Sequence, residues 1–309
     1  MAWRRLGSWS QQPYHRWLCR ETLASADSPE WLKLLAVRLL FQQPETLADD
    51  LQLAQDSLGP TVSLNLRKAY IRRLGEQNSP ACCDVLLQGW SSYSPDMRTL
   101  VLEQIVSQPK WHPRLLQALD EGLLAVGDLD LSVRQQLVQQ KGNPLAAKFQ
   151  QRFAAATSVS GASELPAMQG ASAARGLQVF EKHCSSCHRV DDRGKHLGPN
   201  LQSLTNLTAA RLYEAVVAPN NAVDAKYQSY IVATADGRVI SGMITNESDH
   251  SLTLQPATGE PVSLLREEID ELQATGKSLM PEGFAQAIAS QQMADLLAYV
   301  LEKNGSSQP

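Results

Sequence analysis

Cys184-Ser185-Ser186-Cys187-His188 is the stretch on which the reading of this chain turns. In a Cys-x-x-Cys-His run the two thiols can add to the vinyl groups of a haem, and the adjacent imidazole is held close enough to ligate the iron. The run predicts one covalent haem c, with Cys184 and Cys187 as thioether sulfurs and His188 as the proximal iron ligand. Two other chemistries use similar residues. A structural zinc site needs a second pair of Cys or His ligands, and the remaining cysteines, Cys19, Cys82 and Cys83, offer none. A thioredoxin-like pair opens a helix, where the macrodipole lowers the thiol pKa; this pair closes one.

Upstream, Ser172 reads as the cap of the helix that runs into the motif, with Gly176, Phe180 and Cys184 on one stripe facing the haem. Glycine lowers helix stability, so its place on that stripe predicts a second helix crossing closely there. The C-terminal segment can supply it, with Ser290 as cap, Met293, Leu296, Leu297 and Val300 as buried face, and Tyr299 against Phe180. Crossing terminal helices behind a haem edge describe the class I cytochrome c arrangement.

Downstream comes Gly198-Pro199-Asn200-Leu201. As in cytochromes c, the Pro199 carbonyl would accept a hydrogen bond from the proximal imidazole and fix its tautomer and orientation. A helix over about 208–218 follows, with Leu212, Ala215 and Val216 inward. The second axial ligand must come from a later loop. Met280 is the first choice, because Pro281 stiffens the segment Ser278-Leu279-Met280-Pro281 just before the last helix. Met168, Met243 and Met293 fit worse, lying in a linker, a strand and a helical core face. His196 is an alternative, but it is too close to His188 in sequence to reach the opposite haem face readily.

The span from His188 to Met280 is longer than a minimal cytochrome c uses, and the excess reads as β structure. Segments 227–235 and 238–245 flank Asp236-Gly237, a type I′ hairpin signal, and 251–255 and 261–265 flank Ala257-Thr258-Gly259. Val239, Ser241, Met243 and Thr245 alternate with Ile240, Gly242 and Ile244, as in a half-buried strand. An antiparallel insert of four or five strands at about 227–270 is expected.

From about residue 28 to 157 the pattern is helical. Ser28-Pro29, Ser79-Pro80, Ser94-Pro95 and Asn143-Pro144 each place a capping residue before a proline at the first helical position. Short helices with short connections pair as hairpins and stack, here as about four pairs resembling HEAT repeats; an irregular bundle is the plain alternative. Cys19, Cys82 and Cys83 read as small buried apolar residues. His15 and His112 lack a ligand cluster. No catalytic constellation stands out in this half.

The 309 residues suggest two domains, and a net charge of −4 gives no footprint for nucleic acid or a membrane surface. No stretch is apolar enough to span a membrane. Residues 8–20 lack the apolar core of a signal peptide, although covalent haem attachment implies a periplasmic or otherwise extracytoplasmic location. The chain is therefore expected to be a piece of a longer protein.

The sequence resembles the haem-binding domain found at the C-terminus of large multidomain proteins of Planctomycetes and Verrucomicrobia. The likeness rests on Arg175-Gly176, Phe180, the run from His183 to His188, Gly198-Pro199-Asn200-Leu201, the block from Tyr227 to Gly242, Ile269-Asp270-Glu271-Leu272, the run from Ser278 to Gly283, and Leu296-Leu297-Ala298-Tyr299. It covers about 172–302, with a weaker likeness of the preceding helices to the HEAT-like region of that family. Members often carry a signal sequence and a propeller resembling sugar dehydrogenases; neither reads in this sequence, so no dehydrogenase activity is carried over.

The resulting expectation is a mainly α chain: a HEAT-like superhelix over 1–157, a linker over 158–171, and a class I cytochrome c-like domain over 172–309 carrying the β insert. Its function would be electron transfer through a His/Met-ligated haem, between a dehydrogenase donor and a respiratory acceptor. The alternatives are a peroxidase-like enzyme or sensor with a labile Met280, and a scaffold whose helices bind a protein partner.

Overall fold

A computed structural model describes residues 13–140, 142–157, 164–221 and 223–305. Part of the expected linker, 158–163, and the N-terminal residues 1–12 lie outside them. Nine helices occupy the first half of the described residues: α1 (Pro13–Ala24), α2 (Glu30–Leu39), α3 (Leu47–Asp56), α4 (Leu64–Gly75), α5 (Pro80–Gln88), α6 (Pro95–Ser107), α7 (His112–Asp120), α8 (Leu131–Gln139) and α9 (Ala146–Thr157). Helix α2 packs on α4 and α4 on α6, while α3 packs on α5 and α5 on α7. The two rows share one apolar core that runs from Cys19 to Phe149. Cys82 and Cys83 are fully buried in it, and burial pushes their thiols up to about 11 and about 12.

The last carbonyls of a helix have no partner within it. Here the next helix pair supplies one. Arg73 donates to the Leu40 carbonyl at 2.7 Å, Gln108 to Gly75 at 2.8 Å and Arg152 to Leu119 at 2.8 Å, each bond reaching back 33 residues. Of the four expected proline starts, only Ser94-Pro95 has the full form, with the serine oxygen accepting from the Met97 amide. Ser79 precedes its helix without a side-chain bond, α2 begins after Pro29, and α9 begins at Ala146.

The second half contains α10 (Ala173–His183), a short ribbon β1 (Arg189–Val190) and β2 (Arg193–Gly194), α11 (Ala209–Val217), β3 (Gln228–Thr234), β4 (Val239–Glu247), β5 (Ser251–Gln255), β6 (Val262–Leu265), β7 (Ile269–Ser278), α12 (Phe284–Ala287) and α13 (Ser290–Asn304). Strands β3–β7 form an antiparallel sheet in the order β6-β5-β4-β3-β7. The sheet extends beyond the expected end near residue 270, because β7 continues to Ser278. Only Ile269 and Leu272 of β7 are fully buried, so its alternation is weak. The turn between β3 and β4 also differs from expectation. A type I′ turn needs two positive φ values, and here Gly237 (φ 83°) has one while Asp236 does not. The Gly237 amide bonds the Thr234 carbonyl and the Thr234 amide bonds that of Arg238, which makes a three-residue loop closed by a left-handed glycine.

The close crossing implied by Gly176 is present: α10 packs along α13. A Cβ at Gly176 would collide with the Asp295 backbone carbonyl. Phe180 meets Tyr299 with ring centroids 5.5 Å apart. The expected caps are replaced. Ser172 offers its amide to Asp295 Oδ1 at 2.7 Å, and α13 starts from Ala289, whose amide bonds Gln292. Asp295 is buried and also accepts from Arg175 Nε and Nη2, both at 2.7 Å, which holds its carboxyl below the usual carboxylate range.

The sheet is fastened to the helices by buried polar groups. Arg67 and Arg266 both reach Glu247 Oε1, at 3.4 and 2.9 Å, and Ser94 bonds the other oxygen. Arg266 also donates to the Pro60 carbonyl at 3.0 Å. Burial lowers the Arg67 pKa to about 10, against the pull of Glu247. Tyr230 donates to the Tyr93 carbonyl at 3.1 Å.

Candidate functional site

Helix α10 ends at the motif. The Cys184 amide still bonds the Phe180 carbonyl, and the His188 amide bonds Cys184 at 2.8 Å, so the chain makes one more turn. That turn brings Cys184, Cys187 and His188 onto the wall of a single cavity of about 720 Å³, within the size range of cofactor sites. A loop wraps the turn from outside. The amides of Leu197 and Gly198 bond the Cys187 carbonyl at 2.9 and 2.7 Å, and Lys195 bonds that of Ser185 at 3.1 Å. A Cβ at Gly198 would come 2.5 Å from His188 Cε1, so only glycine lets the loop lie flat on the ring.

His188 Nδ1 lies 3.0 Å from the Pro199 carbonyl. A carbonyl only accepts, so the proton belongs on Nδ1 and the lone pair on Nε2. Burial lowers the pKa of this imidazole, partly opposed by the bond to Pro199. Cys184 is a half-buried thiol, pushed up to about 12 by desolvation and secondarily by Cys187. Both cysteines are free of disulfides.

Across the chain from the motif, Ser278, Leu279, Met280 and Pro281 line the same cavity. Their loop is held at three points. The Ser278 amide bonds Asn220 Oδ1 at 2.8 Å, the Leu279 amide bonds the Tyr227 carbonyl at 3.3 Å, and the Met280 amide bonds Ser278 Oγ at 3.1 Å. Asn220 also donates to Glu282 at 2.6 Å, bracketing the methionine from both sides. The rest of the wall is mostly apolar, including Leu212, Ala215 and Val216 of α11 and Leu296 and Val300 of α13, with Arg211, Glu214 and Asp224 among its polar members.

Several expected residues fall elsewhere. Of the stripe Gly176, Phe180 and Cys184, only Cys184 reaches the cavity; the other two lie at the α10–α13 crossing, because the helix turns that edge toward α13. His196 is exposed beside Arg189 and off the cavity wall. His112 is buried, its Nε2 3.0 Å from the Val106 carbonyl. Met243 joins the wall although it lies in a strand, on the side of β4 opposite Ile240 and Ile244. Asn220 and Asp295 escaped the sequence reading; each acts through backbone groups distant in the chain, which no spacing records.

Residues 173–303 match the family model for cytochrome c. No curated protein matches the chain. The cavity tests that match independently: two thiols and an imidazole with a free Nε2 lone pair, the groups by which a protein attaches and ligates haem c, line one mostly apolar space, and the Met280 thioether lines it too. Among the described residues no group of three His, Cys, Asp or Glu side chains could hold a bare metal ion.

Proposed function

We propose, from the premise that residues 173–303 form a cytochrome c domain and hence a haem-binding electron-transfer module, that this chain holds one haem c through Cys184 and Cys187, with His188 as proximal and Met280 as distal iron ligand. The observation that supports this is the single, mostly apolar cavity lined by all four side chains. Each thiol would add its sulfur to one vinyl carbon and its hydrogen to the other. When bound, the haem supplies one-electron exchange between ferric and ferrous iron.

The protein groups set how that exchange proceeds. His188 offers Nε2 while the Pro199 carbonyl holds Nδ1–H and so the ring orientation. The soft thioether of Met280 favours the ferrous state and raises the potential, and the mostly apolar wall acts in the same direction. With His188 and Met280 both holding the iron, substrate and oxygen would be kept from it, which favours an electron carrier over an enzyme. Redox proteins are its partners; we assign the donor side to a dehydrogenase and the acceptor side to a respiratory protein, in the periplasm or another extracytoplasmic space. The nine helices read as a HEAT-like solenoid, supported by the two helix rows and the 33-residue return of their capping bonds.

The test is expression with an export signal and haem-attachment machinery, followed by intact mass, pyridine haemochrome and ferric spectrum. One covalent haem and a methionine-to-iron charge-transfer band are expected. Met280→Ala removes the band and lowers the potential by on the order of 0.1–0.3 V, within the roughly 0.8 V that axial ligation spans. Met243→Leu keeps the band. A colourless product overturns the haem assignment, and a high-spin ferric spectrum in the parent assigns an enzyme or sensor with an open sixth position.

A further inference from the structure

Where the helical region meets the sheet nearest the cavity, three buried side chains form a closed polar cluster. Arg98 of α6 donates from Nη1 to Gln228 Oε1 at 2.6 Å and to Asp128 Oδ1 at 3.3 Å, and Gln228 Nε2 donates to the same Asp128 oxygen at 2.8 Å. Exposures of 3, 9 and 2 % for Arg98, Asp128 and Gln228 take the ion pair out of water. The guanidinium also lies over the Trp90 ring, 4.9 Å from its centroid, with Nε donating to the Trp90 carbonyl at 3.2 Å. Asp128 Oδ2 is taken by the Ala125 amide at 2.8 Å. Arg98 and Asp128 are thus fixed by the helical region alone, and Gln228 is the one member of the cluster supplied by the cytochrome c domain.

Gln228 sits at the base of the methionine loop. It is the first residue of β3 and pairs with Ser278, the last residue of β7. Its neighbour Tyr227 lines the cavity, and the Tyr227 carbonyl accepts the Leu279 amide. Anything that fixes Gln228 therefore fixes the base from which Met280 is presented.

We propose that Gln228 is a positioning residue for the distal ligand, and that through Arg98 and Asp128 the helical region forms part of the redox centre. The proposal rests on the Met280 assignment above. The cluster holds the closed loop, and its loss raises the fraction of molecules in which the thioether is off the iron. An external ligand that competes for the sixth position senses that fraction directly, because its apparent affinity scales with the population of the competent, open state.

The experiment uses the full chain with its haem, and imidazole as the competing ligand. Gln228→Met keeps the side-chain length and removes both amide bonds. It is expected to bind imidazole about tenfold more tightly in the ferric state, weaken the methionine charge-transfer band and lower the potential, with the helical content unchanged. Gln228→Glu, which keeps the acceptor for Arg98 but loses the donor to Asp128, shifts the same readouts in the same direction and replaces the first variant should that one fail to fold. Asp249→Ala breaks the exposed contact of Asn65 with the sheet, remote from the cluster, and leaves imidazole affinity at the parent value. A parent band that survives Met280→Ala removes the ligand assignment and this proposal with it. A parent band lost in Met280→Ala, together with unchanged imidazole affinity, band and potential in the Gln228 variants, overturns the positioning role and leaves the ligand assignment standing.

Discussion

In the helical region Leu74, Leu86, Leu115 and Leu137 are fully buried against one another and their neighbours. In the cytochrome c domain Leu212, Val216, Leu296 and Val300 are almost as buried, yet each also faces the cavity. The first core is completed by its own side chains. The second shares its side chains between packing and cavity wall, and an apolar group bound in the cavity would add dispersion contacts to them. A haem bound there would supply those contacts, so its binding is expected to stabilise that half of the chain and not the other.

The sharpest way to break that contrast is to prevent attachment. In Cys184→Ala/Cys187→Ala, exported beside the attachment machinery, covalent haem is lost entirely. Amide hydrogen exchange is expected to rise throughout α10, α11 and α13 while α4–α7 keep their protection; equal loss in both halves would show that the cores are not independent. A cavity placed in the closed core is the reciprocal experiment. Leu86→Ala should cost about 2–5 kcal/mol of helical-region stability in denaturant titration, with the haem spectrum and potential unchanged.

Smaller effects test the helix crossing that backs the cavity. Gly176→Ala sets a methyl against the Asp295 backbone carbonyl, which cannot yield as a flexible side chain would. A loss of about 1–3 kcal/mol, typical of overpacking, should appear in the cytochrome c transition alone. Asp295→Asn should have the mildest effect and carry a pH signature. The Asp295 carboxyl is held low by Arg175, then by the Ser172 amide. A group whose folded pKa is depressed contributes stability above its unfolded value, about 3.9, and loses it as pH falls through the folded value. The stability gap between the parent and the variant should be constant near neutrality and close below about pH 4. A gap that persists at lower pH would mean that the carboxylate charge is not what joins α10 to α13.

The interface between the two halves follows neither pattern. Arg67, Arg98 and Arg266 are buried there, each with a carboxylate partner. Buried ion pairs lose much of their attraction to desolvation, so they supply orientation more than strength. That is the property needed to hold a loop that presents one side chain at a set point. The type I′ expectation and the early end of the β insert failed for a related reason. Asp236-Gly237 carries the residue types of several turns, and the strand bonds around Thr234 selected the three-residue loop. In β7 the polar sequence hides a strand that exists because β3 offers it a partner edge.

The sequence by itself determined what depends on neighbours in the chain. The motif Cys184 to His188, the glycine that demands a close crossing, the loop that puts Pro199 at the imidazole and the helical periodicities are all local, since covalent spacing and backbone sterics fix them within a few residues. Only the tertiary structure decided that Met280 and Met243 share a wall, that Asn220 and Asp295 tie distant backbone together, and that Arg98 and Asp128 meet Gln228 across about a hundred residues or more. A buried polar contact of that kind leaves no period in the sequence, because its partners are brought together by the packing of whole elements and owe nothing to the residues beside them.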